Sequence, residues 1–101
     1  MNRNMMKQAQ QLQKQMVKMQ EEIESARVEY SAGGGVVKVI VTGKMDVESI
    51  KIDPDVVDSE DVKMLQDLIL SAINGGLAEA QEMASSTLGA ITGGLNIPGL
   101  T

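Results

Sequence analysis

Arg3, Lys7, Lys14 and Lys18 stand in the first twenty residues of this chain with no Asp or Glu among them. The rest of the chain carries five basic and fourteen acidic side chains, so a segment of charge +4 leads into one of −9, within a net charge of −5. Cations gathered on one stretch and kept apart from carboxylates are suited to neutralising a row of phosphates. A polyanion responds to local charge within a Debye length of about 10 Å, not to the overall isoelectric point.

Other chemistries lack their residues. The sequence has no Cys and no His, which removes disulfides, thiolate and imidazole nucleophiles and the usual zinc ligand sets. Asp53, Asp55, Asp58, Glu60 and Asp61 form the densest carboxylate group, but they lack the loop glycine and terminal Glu of a calcium-binding EF-hand loop and fit turn and helix-cap roles. Gly33-Gly34-Gly35 is not followed by the Lys-Ser/Thr pair of a phosphate loop. Neither a catalytic site, a metal nor a cofactor is expected. With Tyr30 as the single aromatic, stacking on single-stranded bases is disfavoured and the duplex backbone remains as the polyanion.

The cations need an element that aligns them. Met5, Ala9, Leu12, Met16, Met19 and Ile23 recur at steps of four and three, the seam of a helix that packs on another helix, predicted from Asn2 to about Ser25. At 100° per residue, Arg3, Lys7, Lys14 and Lys18 fall within about 60° of one another, opposite that seam. Helix stability alone would not select this ridge. Arg3/Lys7 and Lys14/Lys18 are like-charge pairs at i,i+4, and the cations sit at the end where the macrodipole disfavours them. Gln10 and Gln11 flank the ridge, in reach of bases but equally ordinary as helix formers.

The period then changes. Residues 27–31 alternate polar and apolar, the three glycines mark a turn, and Val36 to Thr42 is β-branched. Gly43-Lys44 predicts a second turn before Val47 to Ile52, in which strict alternation puts Ile50 and Ile52 on one face with Glu48. Pro54 ends this strand of a three-stranded antiparallel meander. Asp58 or Ser59 is expected to cap a second long helix, about residues 59–88, whose stripe runs Val62, Leu65, Ile69, Ala72, Gly76, Ala80 and Met83, widened by Leu68, Ile73 and Leu77. Asn74-Gly75-Gly76 threatens that helix, yet the stripe resumes in phase beyond it. Eight methionines, Met5, Met16, Met19 and Met83 among them on the seams, read first as core filling. Residues 1–88 form one α+β domain on this reading, with residues 89–101 as a Gly/Pro-containing tail. The longest aliphatic run, Val39-Ile40-Val41, is far too short to span a membrane, and Lys and Gln interrupt any leader-like run at the start.

Taken together, "MMKQAQQLQKQMVKMQEE", "GGGVVKVIVTGKMDVESIKIDPDVVDSEDVKMLQDLILSAIN" and "TGGLNIPGL" resemble the YbaB/EbfC family of bacterial nucleoid-associated proteins across nearly the whole chain. The resemblance implies a tweezer-like α+β homodimer in the cytoplasm and nucleoid, binding duplex DNA with low sequence specificity, without a small-molecule substrate or a membrane. It supplies no catalytic residues. The family often has basic residues in the second helix after its Ala-x-Asn segment, where this chain has Glu79 and Glu82, so Arg3, Lys7, Lys14 and Lys18 are the expected contacts. The competing expectation is a helical adaptor or chaperone-like module that grips partner helices.

Overall fold

The computed structural model describes residues 3–94, with side chains through residue 89. The order of elements is α1 (Arg3–Ser25), β1 (Arg27–Ala32), β2 (Val37–Thr42), β3 (Val47–Ile52), a 3-10 turn at Pro54–Val56, and α2 (Val62–Gly94). The strands form one antiparallel sheet in the order β1-β2-β3, the expected meander. Asn2 and residues 95–101 lie outside the described residues.

The sheet presents one face to α2. Val37, Val39 and Val41 of β2 are fully buried against Ala72 and Ala80, with Tyr30, Leu68, Ile69, Ile73 and Leu77 packed around them. Aliphatic burial of this kind contributes about 1.5–3 kcal/mol per side chain. In the turn between β1 and β2, Gly33, Gly34 and Gly35 all take positive φ, at 63°, 74° and 100°, a conformation glycine adopts without a Cβ penalty.

Asn74-Gly75-Gly76 does not break α2. A Cβ on Gly76 would lie 2.9 Å from Cγ2 of both Val39 and Val41, and one on Gly75 would stand 2.1 Å from Cε1 of the Tyr30 ring. The missing side chains let the helix backbone settle on the sheet, so packing outweighs a helix-propensity cost of about 1 kcal/mol per glycine.

Three boundaries differ from the sequence expectation. The cap of α2 is Asp61, whose Oδ1 accepts the Met64 N–H at 3.2 Å; Asp58 instead accepts the Glu60 N–H at 2.9 Å in the preceding turn. At the other end α2 continues to Gly94, so residues 89–94 are helix, not tail. Extending an established helix needs no new nucleus, so Gly89, Gly93 and Gly94 are tolerated at about 1 kcal/mol each. The third difference is in β3. The register shifts between Ile40 and Val41, which pair with Ser49 and Val47, so Glu48 occupies a bulge. Glu48 therefore leaves the face of Ile50 and Ile52 and accepts a hydrogen bond from Arg27 Nε on the far side of the sheet.

Candidate nucleic-acid interface

α1 is a rod of 23 residues, on the order of 35 Å long. Its C-terminal end is tied to the body. Met19 and Ile23 are buried, α1 meets α2, and the Gly43 N–H donates to the Ala26 carbonyl at 3.1 Å. The Gly43 Cα comes so close to the helix end that a Cβ would stand 1.6 Å from the Ile23 carbonyl oxygen.

Every described residue of α1 before Met19 is exposed. Arg3, Lys7, Lys14 and Lys18 are therefore all in solvent, on one ridge, as their spacing predicts. Among the described residues the one ion pair joins Arg27 to Glu48, and Glu48's hydrogen bond, then its charge, raise the Arg27 guanidinium above its ordinary pKa. Among the described residues no carboxylate pairs with the ridge, although Glu21, Glu22 and Glu24 follow it on the same helix. Four exposed cations thus lie along one rod, the kind of row that neutralises successive phosphates where a polyanion is bound.

One flank of the ridge is concave. Gln10, Gln13, Lys14, Val17, Lys18 and Glu21 line a shallow depression of about 680 Å³. Gln10 belongs to it and Gln11 does not. Gln13 and Val17 escape a reading that looks only for charge, although their spacing of three and seven residues from Gln10 places them on the same flank.

The seam opposite the ridge is only partly covered. Leu12 is 39% exposed and Met16 58%, unlike the buried Met19 and Ile23 further along. Gln8 and Gln15 border the seam on one side and Gln13 and Gln20 on the other, so no like charges face each other if two such seams meet.

Among the described residues no group of three or more Asp or Glu side chains is arranged to hold a metal ion, and no helix is long and apolar enough to cross a membrane.

The chain is 55% identical over 97 residues to a nucleoid-associated protein of Thermoanaerobacter pseudethanolicus, covering 96% of this chain and 87% of that one. It is 57% identical over 97 residues to one of Alkaliphilus metalliredigens, covering 96% and 85%. Among solved structures, an uncharacterized protein of Helicobacter pylori shares the fold with a TM-score of 0.62 at 23% identity, covering 77% of this chain and 90% of that one. The pattern of the YbaB/EbfC DNA-binding family matches residues 1–95, and the chain belongs to that family.

Proposed function

We propose that the protein is a nucleoid-associated protein that grips the duplex DNA backbone as a homodimer, with Arg3, Lys7, Lys14 and Lys18 contacting phosphates and little discrimination between sequences. The observation that carries this reading is the ridge: four exposed cations, unpaired among the described residues, on a helix that projects from the body. Phosphate contacts position a protein without reading bases, hence the low specificity. The cytoplasm, with the nucleoid, is the corresponding location.

Two dimensions of the single chain support pairing. Its radius of gyration is 19.9 Å, against about 13 Å for a compact domain of this length. Its accessible surface is 7698 Å² for 10.8 kDa, about 2,100 Å² above the usual scaling for a folded monomer. The uncovered seam of α1 is a natural place to remove part of that surface, and a helical stretch without tertiary cover is marginal in water on its own.

Duplex binding titrated at graded salt tests the reading. A dimer that uses all eight cations gives a log K against log[salt] slope of up to about −7. A variant with all four residues changed to Glu, shown by sedimentation to keep the parent's assembly state, should lose binding. Equal affinity would refute the ridge. The adaptor reading predicts instead that proteins from a cell extract cross-link to the chain after nuclease treatment.

A further inference from the structure

The sheet has a second face, turned away from α2. Val37, Val39 and Val41 of β2 are buried beneath the helix, and successive side chains of a strand point to opposite sides, so Lys38 and Ile40 face outward. The register sets Ser31, Lys38 and Lys51 in one row across the three strands, and all three are exposed.

Like charges directly opposite on neighbouring strands repel, and sheet stability alone would put a carboxylate at one of these positions. Neither lysine has one. Among the described residues the one ion pair, Arg27 with Glu48, stands at the other end of the sheet, and Glu29 belongs to the next row, opposite Ile40. Asp53 lies beside the two lysines but is engaged elsewhere. Its Oδ1 accepts the Asp55 N–H at 2.9 Å, and its own N–H donates to the Val36 carbonyl at 2.8 Å.

The row opens into a shallow depression of about 280 Å³, with Gly35, Lys38, Lys51, Asp53 and Pro54 in its lining. Lys38 leans toward the glycine turn, since a Cβ on Gly35 would stand 3.8 Å from its Cε. A Cβ on Gly34 would meet nothing within 4 Å, so this rim is bare backbone that a bulky partner can approach closely. Lys38 is five residues from Gly43, where α1 is tied to the body, which is about 17 Å along an extended strand.

We propose that Lys38 and Lys51 jointly hold one phosphate of the duplex backbone, at a contact separate from the ridge of α1. The inference rests on the reading that the chain binds duplex DNA, and adds to it a point of grip on the body. Facing Cβ atoms in such a pair are about 5 Å apart, so two flexible ammonium groups converge on a single phosphate, and the anion between them offsets their repulsion. A contact of this kind positions the duplex without reading its sequence.

Salt-graded duplex titration of the full chain tests this with three variants. These are Lys38→Gln with Lys51→Gln, Lys38→Arg with Lys51→Arg, and a control, Lys44→Gln with Lys63→Gln, that removes the same charge elsewhere. The first should lower the log K against log[salt] slope by about 0.9 per chain, the value of one phosphate, while the Arg pair and the control keep the parent's slope. Having lost only a repulsion, the first variant should unfold at no lower urea concentration than the parent. The amide resonances of Gly35, Lys38 and Lys51 should shift when duplex is added. A Gln pair with the parent's slope, or a control that loses as much, would overturn the contact. Equal shifts with inorganic phosphate alone, together with an unchanged slope, would give the row to a free anion instead and overturn the duplex contact too. Loss of binding by the four-residue ridge variant would then leave the ridge standing, whereas a Gln pair that weakens binding beside an unaffected ridge variant would do the reverse, so the two readings fail separately.

Discussion

A Cβ placed on Gly75 would stand 2.1 Å from Cε1 of Tyr30, so the middle of α2 rests on the ring of β1 with no room for a methyl group. Alanine is the better helix former by about 1 kcal/mol, but at this position it forces helix and sheet apart. Gly75→Ala should lower stability by about 1–3 kcal/mol in urea unfolding, as overpacking does. Tyr30→Leu should reduce that loss in a double-mutant cycle, because the two sites share one contact.

The same reasoning applies more severely at Gly43. There the clash is with the Ile23 carbonyl, a backbone atom that no rotamer change can move. Gly43→Ala should detach the end of α1 from the β2–β3 turn. The expected sign is early exchange of the Gly43 amide, which otherwise donates to Ala26, with the β1–β2 pairing retained.

Met45 holds φ 66° in that turn, where its N–H donates to the Thr42 carbonyl at 2.9 Å. A left-handed conformation costs an ordinary residue about 1–2 kcal/mol. Met45→Gly should therefore raise the unfolding free energy read from urea titration by about 0.5–1 kcal/mol, after the flexibility that glycine gives the unfolded chain is subtracted.

On the ridge, Lys14→Gln alone should weaken duplex binding evenly across unrelated sequences and reduce the salt slope by about one per chain. Gln10→Ala should leave the slope unchanged, since an amide displaces no counterion. Parallel titrations of the two variants separate charge from readout.

Much of this was legible in the residues. The four-and-three spacing from Met5 to Ile23 located α1 and its two faces, the change to alternation at Arg27 located the sheet, and the three glycines and Pro54 located its turns. Local patterns carried each of these. What they did not carry depends on tertiary placement. Strict alternation set Glu48 beside Ile50 because a bulge adds a residue without any mark in composition. Asp58 and Asp61 are equally good caps, and only the direction in which the helix leaves the turn selects Asp61. Residues 89–94 are poor helix formers in isolation, and they are helical because the rest of α2, from Val62, precedes them. The ridge was readable because it needs only one helix.

Every described residue of α1 ahead of Met19 is exposed. If copies pair along that stretch as proposed, its straightness, and with it the alignment of four charges to a phosphate repeat, would come from neighbours, and grip on DNA would become a property of abundance. Scarce copies would have frayed arms and a diffuse positive charge, while plentiful ones would stiffen one another into a regular comb. A cell that adjusted only the amount of this protein would also be adjusting the shape of its hold.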